Sequence, residues 1–132
     1  MTYLLDTNTC IAHLTGRSGS VSLRLRNLSP GDVVICSVVK AELLFGARKS
    51  QRSEENMAHL RRFLAPMASL AFDDDAAATY ANIRAGLEQA GSPIGPNDLL
   101  IASIALSRGC IVVTANTREF SRVPGLAVEN WT

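Results

Sequence analysis

Five side chains stand where packing alone gives an ionised or hydrogen-bonding group little reason to be: Asp6, Glu42, Asp98, Asn116 and Glu119. Asp6 follows the apolar run Tyr3-Leu4-Leu5 and precedes Thr7 and Asn8. If that run is a strand, the acid emerges at its carboxyl end, where open parallel sheets bind ligands. It could equally cap the next helix. Glu42 sits in SVVKAELLFGARK, and its helical neighbours are Val38, Val39, Phe45 and Gly46. No cation shares that face, and an ionised carboxylate on an apolar face is costly unless a metal or a partner from another segment compensates it. Asp98 opens the run LLIASIAL, a helix expected to be buried nearly all round. Asn97 could cap that helix, leaving Asp98 spare. Asn116 and Glu119 lie in VVTANTREF, after a second apolar run, with Thr114 placed to orient either group or a water. Acids brought together with no lysine or histidine among them would raise one another's pKa. A hard divalent cation relieves that repulsion, and all-oxygen ligands favour Mg²⁺, or Mn²⁺ in its place, over zinc. The run Asp73-Asp74-Asp75 has a plainer role, since it precedes an Ala-rich helix and suits an N-cap and first turn.

These residues need a scaffold that brings distant segments to one edge. Short apolar runs at 2–5, 33–37, 69–72, 110–114 and 126–128 read as strands, the last as a short edge strand. Helix-period stretches separate them at about 8–14, 19–28, 38–50, 54–65, 74–90 and 98–108. Strands apolar on both faces and alternating with helices imply an α/β fold, a central parallel sheet of four to five strands with helices on both faces. Pro30-Gly31, Pro66, Gly91 and Gly109 fall at expected element boundaries. The stretch GSPIGPN reads as a stiff loop leading into Asp98. Neither GxGxxG nor GxxxxGK[ST] occurs, which argues against a phosphate-loop nucleotide site.

With 132 residues, 47% of them hydrophobic and 19% charged, the chain reads as one globular domain spanning 1–132. No apolar run reaches membrane-helix length and no signal-peptide pattern occurs, so a cytoplasmic location is expected. Cys10, Cys36 and Cys110 are far apart in apolar segments and read as reduced core thiols. His13 and His59 lack a partner at metal-ligand spacing. The net charge is +1, yet residues 1–66 carry nine Lys/Arg against five Asp/Glu, and residues 67–132 carry four against seven. Eleven of the thirteen cations are arginine, which suits phosphate recognition.

In order along the chain, LLDTNTCI, KAELLFGA, PIGPNDLLIA, VVTANTREF and VPGLAVENW resemble the PIN domain, and within it the VapC-type toxin ribonucleases of VapBC toxin–antitoxin modules. The likeness spans residues 3 to 131. It implies a PIN fold with an acidic Mg²⁺ site (Mn²⁺ as the alternative), in which Asp6 and Asp98 are metal ligands and Glu42 is the third acid. Asn116 stands where many PIN domains carry a fourth aspartate, and Glu119 is near enough to compensate. The resemblance further implies an endoribonuclease acting on structured RNA, with a tRNA anticodon loop as the expected target and initiator tRNA as one candidate. A VapB-type antitoxin, a toxin homodimer and a higher toxin–antitoxin assembly are the implied partners. Arg17, Arg24 and Arg26 are candidate RNA contacts; Arg48, Lys49 and Arg52 could face RNA or antitoxin. Asn116 keeps open a catalytically degenerate PIN-like binding module. A dehalogenase-like phosphatase would want an acid where Asn8 stands, and a receiver domain a lysine after a late strand, where none occurs.

Overall fold

The computed structural model describes residues 1–132. Five strands form one sheet: β1 (Tyr3–Leu5), β2 (Val33–Cys36), β3 (Ala68–Leu70), β4 (Ile111–Val113) and β5 (Val128–Glu129). All pair in parallel, in the order β3-β2-β1-β4-β5. Seven α-helices connect them: α1 (Thr7–Leu14), α2 (Gly19–Arg26), α3 (Ser37–Lys49), α4 (Ser53–Leu64), α5 (Asp74–Gln89), α6 (Pro96–Arg108) and α7 (Thr117–Phe120). A 3₁₀ turn at Pro30–Asp32 leads into β2.

The expected α/β architecture is therefore present, and the burial pattern explains it. Every residue of β2 and β4 is buried, so both faces of the sheet are covered, as parallel sheets require. The outer strands β3 and β5 are only partly covered. Twenty-six buried residues make one continuous core running from Leu4 to Trp131. The strand order places β1 centrally, with the chain progressing first through β2 and β3 and then crossing to β4 and β5. The two directions diverge between β1 and β4, which makes their carboxyl ends the switch point of the sheet.

Element ends differ from the sequence expectation for identifiable reasons. β3 stops at Leu70 rather than 72 because its only neighbour, β2, stops at Cys36, where Cys36 and Leu70 are in register. β5 lies at 128–129 rather than 126–128, set by the pairing of Glu129 with Val113. α6 begins at Pro96, two residues before Asp98, because proline's fixed φ and missing N–H suit a first helical position. Its cap residue is Gly95, with no side-chain cap at all, so Asn97 does not cap it. The α7 turn was not anticipated. Gly109 ends α6 in the left-handed conformation at φ 67°, which explains a glycine there. Cys10, Cys36 and Cys110 are buried free thiols, as expected, and no helix is long and apolar enough to cross a membrane.

Candidate active site

Asp6 sits at the switch point itself. Its backbone N–H donates to the Val113 carbonyl at 3.0 Å, tying the end of β1 to the end of β4. Its carboxylate Oδ1 accepts the Thr9 amide at 2.8 Å, so it does cap α1. Capping and a site role are compatible here, because only one oxygen is used. Oδ2 has no hydrogen bond, and since no buried side-chain oxygen is left unsatisfied, it remains open to solvent. Thr9 Oγ1 donates to the Val113 carbonyl at 3.1 Å and pins the same corner from the other side.

Asp98 arrives from α6. A helix that runs antiparallel to β4 must start at the strands' carboxyl edge, which is where the first turn of α6 lies. From Leu99 to Ser107 no residue of this helix is exposed, in keeping with its apolar sequence. Asn116, after β4, bridges the site: its Nδ2 donates to Asp98 Oδ2 at 3.2 Å and also to Glu119 Oε2. The buried hydroxyl of Thr114 accepts the Asn116 amide at 2.9 Å and fixes that bridge. Glu119 Oε1 in turn accepts the Gly95 amide at 2.8 Å, clasping the GSPIGPN loop.

Burial first, then the Glu119 charge beside it, raise the Asp98 pKa from 3.8 to about 6, with Asp6 adding to the rise and the Asn116 amide opposing it. Glu119 moves the other way, held below its usual value by the Asn116 and Gly95 donors. Asp98 is thus the carboxyl that takes a proton first and Glu119 the one that stays charged. None of the site acids has an ion pair; the three salt bridges of the chain are Arg24–Glu129, Arg52–Glu55 and Arg84–Glu88.

Glu42 departs from the expectation. Its face of α3 is not uniformly buried, since Phe45 and Gly46 are exposed. The half-buried carboxylate accepts the Thr7 hydroxyl at 2.7 Å, the partner from another segment that the apolar surroundings called for. The charges acting on Asp98 come from Glu119 and Asp6, not Glu42. No three His, Cys, Asp or Glu side chains stand close enough together to enclose one ion among them. Asp98 and Glu119 are linked through Asn116, while Asp6 and Glu42 are held by the Thr9 amide and the Thr7 hydroxyl, so the acids stand around the switch point without forming a ready-made triad. Their chemistry nevertheless fits a hard divalent cation: oxygen donors only, an Asp98 whose ionisation the Glu119 and Asp6 charges disfavour, and no salt bridge to any of the three.

Thr7 and the Gly95 amide escaped sequence reasoning as site groups. A hydroxyl and a backbone N–H that act across 35 and 24 residues leave no local pattern to read. Asp73 caps α5 through the Ala76 amide at 2.9 Å, as expected for a residue outside the site. His59 is exposed, and His13 pairs with Ser22 at 2.8 Å and lies against Phe63.

The PIN domain profile matches residues 3–126. The chain is 46% identical to the tRNA(fMet)-specific endonuclease VapC of Shigella flexneri over 129 residues, which is 98% of this chain and 97% of the relative. It is 39% identical to the ribonuclease VapC2 of Rickettsia felis, covering 99% and 98% of the two chains. Among solved structures it superposes on VapBC2 of Rickettsia felis bound to a promoter DNA fragment, with TM-score 0.93, 38% identity and full coverage of both chains. The DNA-bound VapBC of Salmonella typhimurium gives the same TM-score of 0.93, with 40% identity over 100% of this chain and 99% of that one.

Proposed function

Because the chain belongs to the PIN-domain family, we propose that it is the toxin of a type II toxin–antitoxin pair, a divalent-metal-dependent endoribonuclease that hydrolyses phosphodiester bonds in structured RNA. The observation that carries this reading is the pairing of Asp98 with Asn116 and Glu119 beside Asp6 at the sheet's switch point. Relatives at this level of identity that are named tRNA(fMet)-specific endonucleases support initiator tRNA as substrate, and its anticodon loop is the proposed target. Its place of action is the cytoplasm, where such RNA is found.

Asp6 and Asp98 would hold Mg²⁺ or Mn²⁺ between them, with Glu119 adding charge beside Asp98 and Glu42 serving the water rather than the ion. The ion would supply Lewis acidity at a phosphate oxygen and a more acidic water. The side chains do the rest. Asn116 holds Asp98 and Glu119 in one orientation through two donated hydrogen bonds. Glu42, steadied by Thr7, accepts the proton of the attacking water. Water attacks phosphorus in line, the bond to the 3′-oxygen breaks with its electron pair going to that oxygen, which takes a proton from solvent, and the RNA 2′-hydroxyl takes no part. Products carry a 5′-phosphate and a 3′-hydroxyl.

A VapB-type antitoxin is the proposed regulator, and VapBC complexes among the structural neighbours support it. A groove of about 310 Å³ between α1, α3 and α4 offers it a seat, lined by Ile11, Leu14, Leu43, Ala47 and Leu60 with Glu42 at its rim. An inhibitor lying there would reach Glu42 directly. A homodimer joined into a larger complex with antitoxin is the proposed assembly. The test is cleavage of purified tRNA with and without Mg²⁺, followed by sequencing of the RNA ends. The reading stands if cleavage needs the metal, is lost in Asp98→Ala and is blocked by the antitoxin; metal-independent cutting, or an active Asp98→Ala protein, overturns it.

A further inference from the structure

Phe45 is the one large aromatic side chain that this fold leaves mostly in water: it is 64% exposed, whereas Phe120 is fully buried and Trp131 nearly so. It lies one helical turn beyond Glu42 on α3. Because Cα–Cβ bonds in a helix tilt toward its N-terminus, the Phe45 ring leans back over the Glu42 turn. Lys49, one turn further, leans onto the ring in the same way and places Nζ 5.0 Å from its centroid. Ala41, one turn before Phe45, is exposed and too short to cover it.

Two other cation–aromatic pairs occur, and both are closed. Arg24 over Trp131 is paired with Glu129, and the indole is buried. Arg84 over Tyr80 is paired with Glu88 and bonded to the Tyr80 hydroxyl. Lys49 and its neighbour Arg48 have no acidic partner. Only at Phe45 are an open ring face and uncommitted positive charge combined, next to the candidate catalytic edge.

We propose that Phe45 is a stacking platform for an unpaired base of the RNA substrate, with Lys49 and Arg48 holding the adjoining phosphates. This rests on the ribonuclease reading and specifies how its substrate is gripped. The pattern suits a single strand or splayed loop, since every base offers a π-face and every linkage a negative charge. An apolar protein partner would fit it less well, because covering the ring would bring Lys49 and Arg48 against non-polar surface with no compensating anion. The bound loop would run from the acids along α3, its base on Phe45 and its backbone toward the end of the helix.

The test uses the full chain and a hairpin RNA carrying 2-aminopurine in its loop, whose fluorescence falls when the base stacks. Binding is measured in EDTA and cleavage separately with Mg²⁺. Phe45→Ala should weaken binding about tenfold or more and abolish the quench. Phe45→Trp should restore both. In cleavage, Phe45→Ala should raise KM by a similar factor with kcat nearly unchanged, and Arg48→Ala/Lys49→Ala should weaken binding while leaving the quench of the bound complex intact. Melting curves and gel filtration accompany each variant. Wild-type-like binding and KM in Phe45→Ala overturns the proposal, as does a change in oligomeric mass, which would mark this face as an interface between copies. Lost antitoxin inhibition with unchanged RNA affinity overturns it too, assigning the ring to the antitoxin. A wild-type protein that never cuts but shows the Phe45-dependent quench would remove the ribonuclease reading and leave the stacking platform standing.

Discussion

A raised carboxyl pKa fixes what Asp98 does to the metal-free protein. The group ionises near pH 6 in the folded chain and near 3.8 in the unfolded one. Its protonated form is therefore favoured by folding, and the stability it contributes is full below about pH 4 and lost as pH rises through about 6. Asp98→Asn keeps the shape and removes the titration. In EDTA at pH 7.5 it should gain about 1 kcal/mol after allowing for solvent screening at this half-exposed site, roughly 3 to 5 °C in Tm. The difference from wild type should vanish at pH 4, as thermal melts across that range would show, and RNA cleavage should be lost at every pH. Thr7 offers a second residue-level test. Thr7→Val removes the hydroxyl that Glu42 accepts at 2.7 Å while conserving volume. If that hydrogen bond aims Glu42 at the attacking water, kcat should fall about tenfold or more with KM little changed, and Thr7→Ser should restore it. An unaltered kcat in Thr7→Val would detach Glu42 from the chemistry.

Elements, more than single residues, decided what could be read in advance. β1, β2 and β4 announce themselves because strands buried on both faces leave unbroken apolar runs, and Asp6, directly after β1, and Asn116, three residues past β4, stand out as polar groups at their carboxyl ends. α6 is legible for the same reason, its Asp98 being polar at the mouth of an apolar helix. The α7 turn is four residues long, too short for any periodicity, and its Glu119 meets Gly95, and Asp98 through Asn116, only because separate segments cross there. Glu42 misled by half: its lack of a nearby cation was real, but Phe45 and Gly46 face water, so its surroundings are not sealed. Asp6 shows how an element and a site can share one residue, and the two roles separate by substitution. Asn accepts the Thr9 amide as Asp does, so Asp6→Asn should keep α1 capped and hold or slightly raise metal-free stability while abolishing cleavage. Asp6→Ala should be equally inactive and in addition lose about 1 kcal/mol with the cap. Chemical denaturation of the two variants beside an activity assay makes the comparison. Equal stabilities would mean that the cap contributes nothing at this corner.

Across the whole molecule, cations without an acidic partner are concentrated in the first half of the chain, as a polyanion-binding protein would use them. Of the nine cations in residues 1–66, Arg24 and Arg52 are neutralised by Glu129 and Glu55, leaving Arg17, Arg26, Lys40, Arg48, Lys49, Arg61 and Arg62 without an acidic partner. In the second half Arg84 is taken by Glu88, and Arg122 is engaged with the Pro93 carbonyl and acts on Glu119, leaving only Arg108 and Arg118. Counterion release then makes RNA affinity fall with salt by about 0.7 logarithmic units per phosphate neutralised on a single strand, for each tenfold rise in concentration. Three neutralised phosphates would cost about twentyfold in affinity between 50 and 200 mM KCl. Removing an uncommitted cation that touches phosphate, as in Arg61→Ala/Arg62→Ala if α4 lies along the RNA, should flatten that slope by about 0.7 for each phosphate no longer neutralised. Arg84→Ala breaks a pair already satisfied within the protein and should leave the slope where it was. Filter binding of labelled tRNA over a salt series reads both. A slope that Arg84→Ala changes as much as the first-half variants would place the RNA across the α5 side of the molecule. The asymmetry of charge would then have no part in substrate capture, and the approach of RNA to the acids would have to be guided by the shape of the edge alone.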